Sequence, residues 1–561
     1  MTLFRKSASF SDRDIIALNV VWNRLISVCE EQANVLMRVA FGTIVREAGD
    51  LSAGVFDANA KMLAQAVTGT PGHVNTMAAS VQAMLEKIPA ETLRPGDVLM
   101  TNDPWLGAGH VFDFVVVTPA FQGEKLIGFL ASTSHVVDVG GLGWSAEGRS
   151  VFEEGVVIPV SRLRRAGELN EDILSIITTN SRIPLEARGD ILSLLSCNDT
   201  GVARLMELLR EFDIESLETI ADFIFERSRS GTLAALAKVP NGTFENMLSL
   251  DGYDSPIVLK AAMVISDDCI VVDLAGSSPS ISRGINCPLN YSVAYASFGI
   301  RALIAGHIPN NAASLEAFEI KAPPGLIVSA ERPAPVSARH VVGQALPDLV
   351  LGCLAKAMPG QVLSESSGAL WTMSLTGTGN EPFSSLNVAL GGMGARPTAD
   401  GLSTTAFPSG VGSVPVEIAE TAAPLIYHCK EFACDTGGAG EFRGGLGQTI
   451  EVGSVSHEKL ELSAAAFERL NVGPAGREGG LSGATGSVEI TDGTQVTDKG
   501  TYEIPPGERV VLQTPGGGGF GKPQNRGAEA LRSDLSQGLI SKKQAEEIYK
   551  LDTSSQEGTK Q

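Results

Sequence analysis

Apolar residues near the start of the chain recur on one helical face: Ile15, Leu18, Val21, Leu25 and Val28. That period predicts an amphipathic helix over residues 14–47. Residues 51–57 (LSAGVFD) change to an extended pattern and predict a strand that enters a turn at 57–59. A short helix is predicted over 77–87. A Pro-Gly-Asp turn follows at 95–97, and a short strand over 98–101. Residues 111–121 are rich in Val and Phe, Gln122-Gly123-Glu124 is a turn, and 126–133 is apolar again. Together they predict a hairpin. Charged amphipathic helices are predicted through 172–236. Strands return over 239–273, and helices over 293–306 and 346–357. Beyond Met358 short strand-like runs alternate with glycine. A charged helix is predicted over 528–549, and the last dozen residues read as disordered.

The fold class implied is mixed α/β (α+β) and multi-domain, with a β-rich, Gly-rich C-terminal part. A chain of 561 residues exceeds one ordinary core. The pattern suggests boundaries at 1–237, 238–360, 361–525 and 526–561.

Composition narrows the partners. The formal net charge of −21 argues against nucleic acid and anionic membrane surfaces. Seven scattered cysteines without a C-x-x-C pair argue against a disulfide framework or zinc ribbon and favour reduced thiols in a cytoplasm. No secretory signal is read in residues 1–14. The longest apolar stretch, 126–144, is interrupted by His135, Asp138 and several glycines, so no bilayer span is expected.

The hairpin concentrates the chemistry. With its turn near Gly123, antiparallel pairing sets Asp113 opposite about Ser134 and His110 opposite about Val137. Its open end then gathers His110, Asp113, His135 and Asp138. Two imidazoles and a carboxylate suit a divalent metal such as Zn or Mn, with positions left open for water and substrate. A hydrogen-bonded structural His–Asp pair would show the same spacing, so the spacing alone leaves both readings open.

The wider pattern resembles the hydantoinase B/oxoprolinase family. Pro95-Gly96-Asp97, then Asn102-Asp103-Pro104-Trp105, then Gly107-Ala108-Gly109-His110 with Asp113 is similar to its PGD…NDP…GGTH-x-x-D run. Ser134-His135 through Asp138 to Gly140-Gly141 resembles its second metal segment. Asp50-Leu51-Ser52, Phe56-Asp57-Ala58, Glu154-Gly155, Asp273–Ser277, Gly284-Ile285-Asn286, Asp435–Gly440, Arg443-Gly444-Gly445 and Thr514–Gly521 fall in the family's order along nearly the whole chain.

The resemblance implies a catalytic B-type subunit with a metal at Asp50, His110, Asp113 and His135. It implies a partner: an A-type, sugar-kinase/actin-like subunit that uses ATP-Mg to phosphorylate the substrate's amide or carbonyl oxygen, in a hetero-oligomer. Known members open hydantoins, 5-oxoproline and lactams, so a hydrolase of cyclic-amide C–N bonds is expected. Relatives carboxylate ketones, so a carboxylase subunit is the alternative, and a non-catalytic scaffold for the ATP-using subunit a third.

His73 stands where a family histidine falls, as an acid/base candidate or as a turn residue at Pro71-Gly72-His73. Asp138 is a further ligand, an acid/base group or a partner of a metal histidine. Asn102 and Asp103 are expected to hold the loop that presents His110. Three departures stand out. Gly109 replaces the usual threonine. Residues 336–344 lack the family's glutamate and carry Arg339-His340. Ala406-Phe407-Pro408 lies where His-rich segments are common. Gly516–Lys522 fits G-x-x-x-x-G-K formally, but Pro523 stands where a phosphate loop needs Ser or Thr, which favours a structural turn. Cys287 adjoins a matched segment without nucleophile context.

Overall fold

The structure, a computed structural model, describes residues 11–377 and 383–552. The chain forms two compact units. The first comprises Met1–Thr243, Ala262–Ala275 and Pro279–Arg339; the second comprises Phe244–Ala261, Gly276–Ser278 and His340–Gln561. Architecture is mixed α/β with several sheets, as the pattern predicts.

The first unit opens with α1 (Asp12–Val39). Ser11 Oγ accepts from the Asp14 N–H, and the Asp14 carboxylate accepts from the Ser11 N–H, a reciprocal cap that fixes the start. The predicted helix does not continue to 47. It ends at Val39 and resumes as α2 (Thr43–Arg46). The cause lies far along the chain: Asp190 Oδ1 accepts from the Phe41 and Gly42 N–H groups at 2.8 and 3.1 Å, which takes them out of the helical ladder.

A seven-stranded sheet follows, ordered β2-β1-β5-β4-β3-β6-β7. Its strands are β1 (Leu51–Asp57), β2 (Met62–Gln65), β3 (Val98–Thr101), β4 (Asp113–Gln122), β5 (Lys125–His135), β6 (Ser161–Arg165) and β7 (Glu168–Leu169). Both faces are covered. Val115 and Val117 join the core under α3 (Pro71–Lys87), whereas Phe114 and Val116 join the core under α1 and α6 (Pro184–Glu211). Burial on both faces explains why 114–117 (FVVV) is continuously apolar rather than alternating. The short α4 (Val151–Glu154), α5 (Glu171–Asn180) and α7 (Glu218–Leu236) complete the N-terminal part.

The hairpin has the expected turn but a different register at its open end. Gln122 pairs with Lys125, and a bulge between Ala120 and Phe121 adds one residue. Asp113 therefore sits directly opposite His135, not Ser134. The bulge moves the two site residues into one pair.

Later in this unit, β10 (Ile270–Asp273) pairs antiparallel with the end of β9 (Ile257–Ile265), which follows β8 (Gly242–Leu250), and parallel with β11 (Phe318–Lys321). Between β10 and β11 lies α8 (Leu289–Ile304). Its Tyr291 and Tyr295 rings crowd the first turn of α3, where a Cβ at Gly72 would stand 2.7 Å from the Tyr295 ring.

The second unit holds two four-stranded sheets. One contains Leu370–Gly377 and the other Gln448–Ser454 as inner strands. They enclose one core, with Trp371 stacked on Phe467 at 4.6 Å. The Gly-rich motifs meet here backbone to backbone. Gly438 N–H donates to Gly517 O at 2.8 Å, and Gly517 N–H to Gly445 O at 2.9 Å. A Cβ at Gly517 would lie 2.0 Å from Met393 O. Only glycine allows that approach. The predicted C-terminal helix is two helices, Ala528–Ser536 and Lys542–Glu547, separated by Gly538 at φ +70°. Most of the expected disordered tail lies outside the described residues. Among the described residues no helix is long and apolar enough to cross a membrane.

Trp371 is fully buried and its indole N–H donates to Glu468 O at 3.0 Å. Trp371→Ala is expected to cost about 3–5 kcal/mol, measured by urea unfolding.

Candidate metal centre

The bulged hairpin places Asp113 at the first position of β4 and His135 at the last position of β5. The preceding loop delivers His110. Its route is fixed by Asn102, whose amide donates to Val111 O at 2.6 Å and Val156 O at 2.9 Å and whose oxygen accepts from the Ile158 N–H at 2.6 Å. Asp103 Oδ1 accepts from the Trp105 N–H and Oδ2 from Arg332. Past His135, Asp190 Oδ2 accepts from the Val137 N–H at 3.2 Å. Phe112 stacks on the His135 ring at 5.2 Å with the two planes nearly parallel.

His110, Asp113 and His135 each bring one ligand atom to within 4.8 Å of the others, and all three are buried. His110 Nε2 and His135 Nδ1 lie 2.8 and 3.5 Å from Asp113 Oδ1. Yet His110 Nε2 and Asp113 Oδ1 are left without a hydrogen-bonding partner: with the ring proton on Nδ1 toward Ser337 O, two lone pairs face each other across that gap. Buried polar atoms without partners are costly. A cation between them satisfies both, and the donor set is one that Zn or Mn accepts.

The His110 tautomer is fixed from behind. Its Nδ1–H donates to Ser337 O at 2.9 Å, which leaves Nε2 with a lone pair. Burial and the nearby Arg339 charge push its pKa down to about 3, so the ring is neutral, the form that binds metal. Asp113 titrates well below the usual carboxylate range. Burial opposes its charge, but His110, His73 and Arg339 outweigh burial. Arg339 donates to Asp113 Oδ2 at 2.5 Å and to Ala108 O at 2.9 Å, and its guanidinium lies 4.4 Å over the Tyr291 ring.

Asp50 and His73 attach to this cluster. His73 Nε2 is 2.8 Å from Asp113 Oδ2, and its Nδ1 is 3.4 Å from Asp50 Oδ1. Burial lowers the His73 pKa, but Asp113 and Asp50 reverse this and the net direction is upward. His73 does not lie in an irregular turn. Thr70 caps and Pro71 opens α3, so His73 sits in that helix's first turn. Asp138 is not in the three-residue cluster. Its carboxylate accepts from the Gly140 N–H, Ser181 Oγ, the Arg182 N–H and the Arg182 guanidinium at 2.5–3.2 Å. Cys287 is buried, with its thiol donating to Arg339 O. The N–H groups of Gly516–Gly519 donate to Ala484, Gly445, Glu365 and Leu481 carbonyls, which leaves none for a phosphate.

Arg339 and Glu154 are the supporting residues whose contacts the sequence hides. Arg339 meets Asp113 across 226 positions. Glu154 appears in the sequence only as part of a turn motif, and no local pattern links it to the centre.

The glycine before His110 has a structural cause. Gly109 takes φ +91°, and its Cβ would lie 3.0 Å from the Tyr291 ring. Gly109→Thr is expected to destabilise the fold by about 1–3 kcal/mol and to weaken metal binding; urea unfolding and metal titration check the two effects.

Residues 14–523 match the family described as Hydantoinase B/oxoprolinase. A putative B-type subunit of a D-/L-hydantoinase from Pseudomonas sp. is 26% identical over 95% of this chain and 94% of its own length. The 5-oxoprolinase 1 of Arabidopsis thaliana is 26% identical over 91% of this chain, which spans only 42% of that longer protein. Among solved structures, the ATP-dependent caprolactamase of Pseudomonas jessenii shares the fold with a TM-score of 0.87 at 23% identity, covering 97% of both chains. A nucleotide-free acetone carboxylase shares it at 0.83 and 20%, covering 97% of this chain and 80% of that one. A family match across almost the whole length places this chain in the hydantoinase B/oxoprolinase family.

Proposed function

We propose that this chain is the metal-carrying catalytic subunit of an ATP-dependent hydrolase that opens a cyclic amide: a hydantoin, 5-oxoproline or a lactam. The observation that carries the reading is the pair of buried, unpartnered atoms, His110 Nε2 and Asp113 Oδ1, beside His135. Asp50 lies outside the three-residue cluster, in contact with His73, and is proposed as the fourth ligand on the family resemblance. Zn or Mn bound there supplies Lewis acidity toward a carbonyl oxygen.

The chain's own groups divide the remaining work. Asp113 fixes the geometry, because Oδ2 is held by Arg339 and His73 while Oδ1 faces the two imidazoles. His73 holds a proton between two carboxylates and moves it at Nδ1, the nitrogen without a hydrogen-bonding partner. Asp138 acts as a positioning residue that anchors the loop after His135 through Ser181 and Arg182.

ATP-Mg enters through a separate A-type subunit in a hetero-oligomer of the cytoplasm. A relative named as one subunit of a hydantoinase, and oxoprolinases more than twice this chain's length, support a second part that is either separate or fused. The acetone carboxylase fold supports a second reading, a subunit of an ATP-dependent ketone carboxylase.

His110→Ala is expected to remove most bound metal while the circular dichroism of the fold persists; unchanged metal by elemental analysis removes the proposed centre. Reconstituted with its ATP-using partner, the chain is expected to support ATP turnover with a hydantoin, 5-oxoproline or lactam in the absence of bicarbonate. Turnover only with a ketone plus bicarbonate selects the carboxylase instead.

A further inference from the structure

Glu154 is a buried carboxylate that the reaction above does not use. It ends α4, and the loop that follows His135 packs against it. The Leu142 N–H donates to Glu153 O at 2.9 Å, and the Val156 N–H to Val139 O at 2.9 Å. A Cβ at Gly141 would lie 2.5 Å from the Glu154 backbone. The position of Glu154 is therefore set by the His135 side of the centre.

Its side chain reaches the other side. Glu154 Oε1 accepts from the Val336 N–H at 2.6 Å and the Ser337 N–H at 2.8 Å. Ser337 in turn offers its carbonyl to His110 Nδ1. Two residues on, Arg339 grips Asp113 Oδ2. The segment 336–339 thus makes two contacts with the metal centre; Glu154 takes the Val336 and Ser337 N–H groups at its start, beside the bonds from Ser337 Oγ to Ser145 O and from the Ala338 N–H to Gly284 O.

We propose that Glu154 is a positioning residue that holds the Ser337 carbonyl against His110 and so selects the tautomer with a proton on Nδ1 and a free lone pair on Nε2. This rests on the metal-centre reading above. The two tautomers compete. If Ser337 O withdraws, His110 can carry its proton on Nε2, and that N–H faces Asp113 Oδ1 only 2.8 Å away. An internal hydrogen bond then closes the centre to a cation. Backbone carbonyls behind a ligating histidine fix its ring in this way, and one Glu154 oxygen that accepts two adjacent backbone N–H bonds holds that carbonyl's peptide in place.

The experiment uses the full chain as parent, Glu154→Ala, Glu154→Asp, Glu154→Gln and His110→Ala. Zinc affinity is measured by competition with a chromophoric chelator. The imidazole tautomers of the metal-free, histidine-labelled protein are read by nitrogen-15 NMR. Glu154→Ala and Glu154→Asp are expected to weaken zinc roughly 10–100-fold and to replace the His110 Nδ1–H signal by Nε2–H. Glu154→Gln, whose amide oxygen can still accept both N–H bonds, retains most of the affinity. Should Glu154→Ala not fold, the Asp and Gln variants decide alone. Parental affinity in Glu154→Asp, or an unchanged His110 tautomer, overturns the inference. If His110→Ala itself binds zinc like the parent, the metal-centre reading fails; if only the Glu154 variants do, that reading stands and this one falls.

Discussion

Taking a carboxylate out of water costs several kcal/mol unless cations and donors replace its hydration, and Asp113 is fully buried at the first position of β4. Its two oxygens divide the task. Oδ2 is met by Arg339 and His73, both in reach of a formal charge–charge contact, while Oδ1 faces His110 and His135. The rest of the first unit follows from bringing these four groups to one point. The hairpin bulge supplies His135, the capped start of α3 supplies His73, the loop pinned by Asn102 supplies His110, and segment 336–339 supplies Arg339. None can shift without uncovering part of the charge. The same residue is therefore the source of the centre's rigidity and of its chemistry.

Local pattern reveals much of this, and the limits have physical causes. The hairpin, its turn and the convergence of His110, Asp113 and His135 are visible because turn position and strand period act over short range. The register is off by one because a bulge at Ala120/Phe121 leaves no mark in a strand buried on both faces. The break after Val39 is invisible for another reason: Asp190, 149 positions away, takes the N–H of Phe41. Arg339 is read as a departure from a motif, but its contact with Asp113 is tertiary. The role of Asp138 is hidden in the same way, since only the structure shows Arg182 and Ser181 occupying its oxygens.

Glycine follows a different logic in the second unit. There the Gly-rich motifs give neighbouring backbones room to hydrogen-bond at close range, as at Gly438, Gly445 and Gly517. A sequence that fits a phosphate loop by its spacing has every relevant N–H spent on another carbonyl. The distinction is one of hydrogen-bond accounting, and it separates a scaffold from a ligand site where the residue letters do not.

The departures from the family pattern are linked in space. Gly109 has no side chain where the Tyr291 ring lies, Tyr291 carries the Arg339 guanidinium over its face, and Arg339 occupies Asp113 Oδ2. Gly109, Tyr291 and Arg339 thus form one local stack against the Asp113 carboxylate. Its electrostatic consequence is specific. A glutamate beside the centre would add negative charge, whereas Arg339 draws on the charge that Asp113 already has. Segment 336–339, through Arg339, therefore sets how much of the Asp113 charge is left for its other neighbours.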